Sequence, residues 1–337
     1  MKILLVSLYD KGFHRNAVKE MVKSIVDAGH TVLEFESIEQ RWERILSVAH
    51  INQIDLIYFA RIVDTQMLYM AVRSWDVDIA FLMTGYSYTV RHPKQEEAFL
   101  NLLKLPHVKR VFINTALPSS LAAFLTEKYG KVDDKITLTF DQPLETKEFY
   151  RDIPRDKARE TLNIPQDKKI AQYFGTYWYS KGCDLLLEVA KSLPEIDFYM
   201  VGDTKLGSFD YDIKESAQNG NVYWVDEYVS EEKARDYFRA CDIVVMPYRK
   251  FYEHDPSGVF VKAMLAERPV VAPMIQPFKD IAYKYDVGLF YKCEDMSDLR
   301  GAIKAGFDVI YDCPYTGFDS YLDLMAEEGW KVIGEKL

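Results

Sequence analysis

The chain has 337 residues and a net charge of -10, with 48% hydrophobic and 28% charged residues. That length predicts about two domains, each with its own buried core. The acidic balance argues against a broad electrostatic grip on nucleic acid and gives no general attraction to an anionic membrane.

The first residues, MKILLVSLYD, read as a strand and not as a signal peptide, because no apolar h-region with a cleavage site follows. No 18-residue apolar stretch suits a membrane span, and the chain is expected to be cytoplasmic. Strands are predicted at Lys2–Ser7, Thr31–Glu36, Asp55–Ala60, Asp78–Met83, Arg110–Asn114 and Ile136–Phe140. Most are apolar at consecutive positions, the pattern of strands covered on both faces. Helical periods lie between them. In NAVKEMVKSIVDAGH the residues Ala17, Met21, Ile25 and Val26 form a stripe, and Gly29 is placed as the cap. This alternation predicts a parallel, doubly wound sheet.

The segment LETKEFYRDIPRDKARETLNIPQDKK is charged and poor in strand character, so a domain boundary is set there, giving domains 1–150 and 151–312. The alternation then restarts. Strands are predicted at Lys169–Phe174, Ile196–Val201, Val222–Val225, Asp242–Met246, Pro269–Ala272 and Val287–Tyr291. Helices are predicted at Cys183–Ser192, Glu231–Ala240, Val259–Glu267 and Met296–Lys304. Residues 313–337 form an amphipathic piece with Tyr321, Leu324, Met325 and Trp330 as a stripe, either returning to the first domain or closing the second. Cys183, Cys241, Cys293 and Cys313 are widely spaced, which suits thiols in a reducing compartment.

Doubly wound sheets bind ligands at the C-terminal ends of their strands. Two such loops in the second domain carry anion chemistry. In YFGTYWYSKGCDLL, Gly175 and Thr176 follow a strand, and Lys181-Gly182 precede a helix. A glycine there admits close backbone approach, and a lysine at a helix mouth adds to the helix dipole. In PYRKFYEHDPSG, Ser257 and Gly258 stand at the mouth of the helix that continues through Val259 and Lys262. Two anion corners suit a diphosphate better than a single phosphate. The G-x-x-x-x-G-K-[ST] phosphate loop is absent.

FGTYWYSKGCDLLLEVAKSLPEIDFYMVGD, VDEYVSEEKARDYFRACDIVVMPYRK and DPSGVFVKAMLAERPVVAP together resemble the C-terminal domain of GT-B glycosyltransferases of the retaining family 4 type, the glycosyl transferases group 1. The resemblance covers about 150 residues strongly and the N-terminal half loosely. It implies a GT-B fold, two Rossmann-like domains facing a central cleft. It further implies a nucleotide-diphosphate sugar donor, UDP- or GDP-linked, on the second domain and a saccharide or other hydroxyl acceptor on the first. Transfer would proceed with retention, with no metal and no cofactor besides the donor. Base contacts are implied around Val225 and Val229.

The chain departs from the family pattern in several places. Thr176 stands where the family usually has an arginine on the diphosphate, leaving Arg249 or Lys250 as substitutes. The second glutamate of the E-x7-E pattern falls at Lys262, and the first near His254 or Asp255. Asp255 is the preferred sugar-contacting carboxylate, with Glu253 second. The first-strand loop, YDKGFHRNA, offers Gly12 and His14 to the acceptor, with Arg15 beside them. Either Tyr86 or His92 takes the place of the family's sugar-contacting histidine. Lys181, Asp255 and His92 are thus the catalytic candidates. The loop aromatics Tyr88, Tyr177, Trp178 and Tyr179 suit a sugar site. The DYD at Asp210–Asp212 lies away from the phosphate corner, so no metal site is expected. Two readings compete with transfer: an epimerase or hydrolase acting on a nucleotide sugar, and a degenerate, non-catalytic binding protein.

Overall fold

The computed structural model describes the chain outside residues 8–12, 37–41, 85, 141–144, 207–219, 313–314, 328 and 330. The side chains of residues 13–16, 309–312 and 327 also lie outside the described set. By contact the chain divides into two units. One comprises Met1–Leu144, His254–Pro256 and Met325–Leu337; the other comprises Glu145–Glu253 and Ser257–Leu324.

The first unit is built on a six-stranded parallel sheet, β1 (Lys2–Ser7), β2 (Thr31–Glu36), β3 (Leu56–Ile62), β4 (Asp78–Met83), β5 (Val108–Thr115) and β6 (Ile136–Phe140), in the order β2-β1-β3-β4-β5-β6. Around it run α1 (Phe13–Asp27), α2 (Trp42–Ile51), α3 (Thr65–Val72), α4 (Tyr86–Arg91), α5 (Pro93–Lys104) and α6 (Pro118–Tyr129). The period of two sorts β1 between two cores. Leu4 and Val6 join Phe59, Phe81 and Phe99 on one face, while Ile3 and Leu5 join Met21, Ile25 and Phe112 on the other. Burial on both faces is why these strands read as unbroken apolar runs. On α1 the stripe consists of Ala17, Met21 and Ile25; Val26, one residue on, is 49% exposed because a single step turns it off the core-facing side.

The second unit repeats the plan with β7 (Lys169–Phe174), β8 (Ile196–Gly202), β9 (Val222–Asp226), β10 (Ile243–Val245), β11 (Val270–Pro273) and β12 (Gly288–Tyr291), in the order β12-β11-β10-β7-β8-β9. Its helices include α7 (Lys147–Arg151), α8 (Arg155–Leu162), α9 (Cys183–Ala190), α10 (Glu231–Ala240), α11 (Gly258–Leu265), α12 (Phe278–Lys284), α13 (Met296–Asp312) and α14 (Phe318–Glu327). The predicted boundary after residue 150 falls inside α7. That helix belongs with the second unit, because Tyr150 packs edge-on to Phe238 and Arg151 Nε donates to the Leu265 carbonyl. Helix α13 outruns its predicted end at Lys304 because Phe307 still fills the sheet core. Beyond it, the chain from Met325 on groups with the first unit, where α15 (Lys331–Lys336) lies on α1 and Gly334 N donates to Ser24 Oγ.

A buried ion cluster ties β7, β10 and α8 together. Asp242 accepts from Arg155 Nη2 at 2.7 Å, from Arg159 Nη2 at 3.0 Å and from the Ile170 amide at 2.7 Å. Arg159 is fully buried and spends its remaining donors on the carbonyls of Ala240, Pro165, Gln166 and Lys168. Such a cluster is tolerated because the buried guanidinium is held by a carboxylate and four carbonyls.

Among the described residues no helix is long and apolar enough to cross a membrane. Cys183 and Cys241 are buried free thiols and Cys293 is a half-buried one; Cys313 lies outside the described residues.

Candidate functional site

In the second sheet, chain order runs outward from β7 through β8 to β9 on one side and from β10 through β11 to β12 on the other. The direction reverses between β7 and β10, which are paired in parallel. The C-terminal ends of strands at such a reversal form a crevice open to a ligand. The loops leaving β7 and β10 are the two in which the sequence places anion-binding residues.

Glycine geometry sets the β7 loop. Gly175 has φ +115°, and a Cβ there would lie 2.8 Å from Lys181 Nζ and 3.7 Å from Val259 Cγ2. One backbone position therefore touches both the lysine of the first loop and the first turn of α11. Gly182 has φ +61°, and a Cβ there would lie 2.0 Å from the Pro247 carbonyl oxygen. Only glycine lets the β7 loop pack against Pro247, two residues past the end of β10. Between them Lys181 ends a short 3-10 turn, Tyr179–Lys181, and its ammonium is enclosed by protein. Burial lowers its pKa to about 8. Among the described residues it has no hydrogen-bond or ion-pair partner, only the Tyr248 ring 5.9 Å away.

Tyr248 links the two loops. It is fully buried, and its hydroxyl lies 3.1 Å from Ser257 Oγ. Ser257 is the N-cap of α11, accepting from the Phe260 amide at 3.3 Å. Among the described residues the Gly258 and Val259 amides then remain as orphan donors of the first turn, and nothing would meet a Cβ on Gly258 within 4 Å. A helix start with free amides, open space at its glycine and a buried ammonium alongside is a site for an anion. The positive charge comes from Lys181 and the directed donors from α11.

Other sequence candidates occupy different surroundings. The Lys262 ammonium, one turn into α11, is bonded to Glu231 and lies 3.6 Å from Glu145, so its charge is already matched by carboxylates. Arg249 is clamped on Asp184 at 2.6 and 2.9 Å, on the Tyr179 carbonyl at 2.7 Å, and on the Tyr179 ring at 4.0 Å. It holds the two loops together and leaves no donor face for a phosphate comparable to that of Lys181. Lys250 pairs with Glu253. The Thr176 carbonyl accepts from the Tyr173 hydroxyl at 2.9 Å. Val225 and Val229, half-buried, bracket the turn between β9 and α10. Trp178 and Tyr179 are exposed, whereas Tyr177 is buried and stacks on Tyr173.

In the first unit, Tyr86 is a core residue. It is 1% exposed, lies edge-on to Phe99 and Phe124, and its hydroxyl donates to Tyr129. His92 occupies the N-cap position of α5 with no side-chain capping bond, donates from Nδ1 to the Tyr88 carbonyl at 2.7 Å and lies against the Tyr88 ring. Asp255 belongs to this unit by contact. Its carboxylate accepts from the Ser87 amide at 3.2 Å and from the Ser87 hydroxyl. Burial outweighs these bonds and pushes its pKa up to about 6. Next to it His254, at φ +73°, is buried with its ring 4.0 Å from that of Phe124. Gly12 lies outside the described residues, as does the Asp210–Asp212 stretch; His14 is in the first turn of α1, its side chain outside the described set.

Sequence reasoning missed Tyr248 and Ser87. Tyr248 is an ordinary aromatic in a loop, and only its place between Lys181 and Ser257 gives it meaning. Ser87 is a helix-start serine whose partner lies 168 positions away in the chain.

Residues 154–306 match the family described as Glycosyl transferases group 1. A search of curated protein sequences found no match. Solved structures match over the whole chain. Sucrose-phosphate synthase from Thermosynechococcus elongatus aligns with a TM-score of 0.73 at 15% identity, covering 99% of this chain and 96% of that one. Anabaena HepE in complex with UDP aligns with a TM-score of 0.73 at 17% identity, covering 100% and 98%. A glycosyltransferase from Rickettsia africae aligns with a TM-score of 0.72 at 14% identity, covering 99% and 96%. At such identities the structures speak for the fold alone, and the family match speaks for residues 154–306. The chain has the GT-B fold, and its residues 154–306 carry the match to glycosyl transferases group 1.

Proposed function

We propose that the protein moves a sugar from a UDP- or GDP-linked donor to a hydroxyl of a saccharide or other acceptor, with retention, and needs neither metal nor further cofactor. The observation that carries this reading is the ammonium of Lys181, without a hydrogen-bond or ion-pair partner among the described residues and enclosed beside Gly175 and the mouth of α11. A buried charge without a counter-ion is costly unless a ligand supplies one. The ligand of matching chemistry is a diphosphate. For the nucleotide, the support is that Anabaena HepE has been solved with UDP, with UDP-glucose, and with UDP and glucose.

As the anomeric C–O bond breaks, negative charge gathers on the departing diphosphate. In this reading Lys181 and the Gly258 and Val259 amides stabilise that charge, an electrostatic role of the oxyanion-hole kind. The acceptor oxygen bonds to the anomeric carbon on the face the diphosphate leaves, and its proton passes to the departing phosphate. Asp255 is assigned to a sugar hydroxyl. The residues around Val225 and Val229 are assigned to the base. The acceptor is assigned to the first unit, with Gly12 and His14 as its candidates.

The test is calorimetric titration with UDP, GDP, ADP, CMP and dTDP and the corresponding sugars in EDTA, followed by NMR of the product's anomeric proton. Selective binding of UDP or GDP, turnover in EDTA and a retained anomer are expected. Binding of none of them, an inverted product, or activity lost in EDTA and restored by Mn²⁺ would each overturn its part of the reading. Asp255→Asn should cut turnover by about tenfold or more while leaving diphosphate affinity within about twofold, since a hydrogen bond to charge is worth roughly 1.5–3 kcal/mol. Equal losses in both would remove Asp255 from the sugar.

A further inference from the structure

We propose that Ser87 is a positioning residue for transfer, fixing the orientation and the charge of Asp255. The proposal rests on the assignment of Asp255 to the sugar. Ser87 is on α4, and it donates to both oxygens of the Asp255 carboxylate: its amide to Oδ1 at 3.2 Å and its hydroxyl to Oδ2. Ser87 is itself 2% exposed, so neither donor can be replaced by water without rearrangement. A carboxylate held at both oxygens cannot rotate, and its remaining lone pairs keep a fixed direction.

The same bonds set the charge. Burial works against the Asp255 anion, while the two Ser87 bonds and the charge of Arg91, further along α4, work for it. The balance leaves the group titrating at about 6. Without the Ser87 hydroxyl one of the opposing contributions is gone, so the proton is held to higher pH. A carboxylate that must accept from a sugar hydroxyl would then be partly protonated at neutral pH. Around the carboxylate, Arg91 is the charged neighbour on the packed helix, and His254 and Glu253 precede it on its own segment.

The experiment combines carboxyl NMR titration of the free protein with pH profiles of kcat and kcat/KM for wild type, Ser87→Ala and Ser87→Thr. In wild type the Ser87 amide resonance should titrate together with the Asp255 carboxyl. In Ser87→Ala the Asp255 titration should move up, and the acid limb of kcat/KM should move with it. The activity deficit would be several-fold near pH 6.5 and would shrink toward pH 8. Ser87→Thr, which keeps a hydroxyl, should restore most of the profile. The proposal is overturned if the wild-type Ser87 amide is blind to the Asp255 titration, a measurement that needs no variant to fold. It is also overturned if Ser87→Ala loses activity equally at every pH. If Asp255→Asn leaves turnover intact while Ser87→Ala still moves the Asp255 titration, the assignment of Asp255 to the sugar is what fails, and the catalytic role of Ser87 falls with it.

Discussion

Replacing Lys181 by methionine should stabilise the free protein and weaken its binding of nucleotide. In the folded chain burial brings the ammonium from 10.5 to about 8, whereas in the unfolded chain it titrates near its ordinary value. Between those pH values the unfolded chain holds a proton that the folded chain has released. Stability therefore rises with pH through that window, and below pH 8 the folded protein carries the full cost of an enclosed charge. The gap corresponds to about 3 kcal/mol at most, and partial exposure of the side chain reduces it to roughly 1–3 kcal/mol. Lys181→Met removes the charge and keeps an apolar stem of similar length. Urea unfolding at pH 7 should then show a gain of about 1–2 kcal/mol, and the rise between pH 8 and pH 10.5 should vanish. Charge-assisted bonds to phosphate are worth roughly 1.5–3 kcal/mol, so UDP affinity should fall by about 10- to 100-fold. Wild-type affinity should itself decline above pH 8, approaching tenfold per pH unit as the lysine loses its proton. A variant that is less stable at pH 7 and binds UDP as tightly as wild type would refute the argument, because Lys181 would then be a structural residue whose charge is satisfied.

Gly175→Ala places a methyl group 2.8 Å from the Lys181 ammonium nitrogen, which must shift, and asks an L-residue to hold φ +115°. Calorimetry should show UDP binding weakened by about tenfold or more, with a stability loss of about 1–2 kcal/mol from backbone strain. Gly182→Ala meets backbone and not a flexible side chain, so thermal unfolding should show the larger stability loss of the two glycine variants. Asp242→Ala leaves Arg159 buried without its carboxylate and should cost about 3–5 kcal/mol in urea unfolding, with UDP affinity unchanged at temperatures where the variant is folded. A small loss there would mean that the carbonyls around Arg159 suffice to hold its charge.

Much of the scaffold was legible in the sequence because its signal is local. Strands buried on both faces must be apolar at consecutive positions, and β1, β4 and β7 begin and end at the predicted residues; so do the less buried edge strands β2 and β6. Helix ends were less legible. Helix α11 opens at Gly258, one residue before its predicted start, since the Ser257 side chain makes the cap. Helix α13 continues past Lys304 because its end is decided by what Phe307 touches, which no local pattern records.

For the site, residue type gave the position of a charge and not its state. Lys181 and Lys262 look alike in sequence, each a lysine near a glycine-bearing helix start. Their difference lies in what other segments bring: Glu231 and Glu145 surround Lys262, whereas Gly175 and the Tyr248 ring surround Lys181. Arg249 could be guessed as a phosphate ligand only while Asp184, at the start of α9, was not known to face it. Tyr86 could be guessed as a sugar contact only while Phe99 and Phe124 were not known to enclose it. In each case the partner is remote in the chain, and the partner decides whether a polar group is spent or available. Of these candidate cations, the one without a partner among the described residues is Lys181, which the two glycines and the α11 mouth surround. That convergence of backbone geometry with an uncompensated charge is the strongest reason to place the diphosphate at Lys181 and not at the more conspicuous arginine.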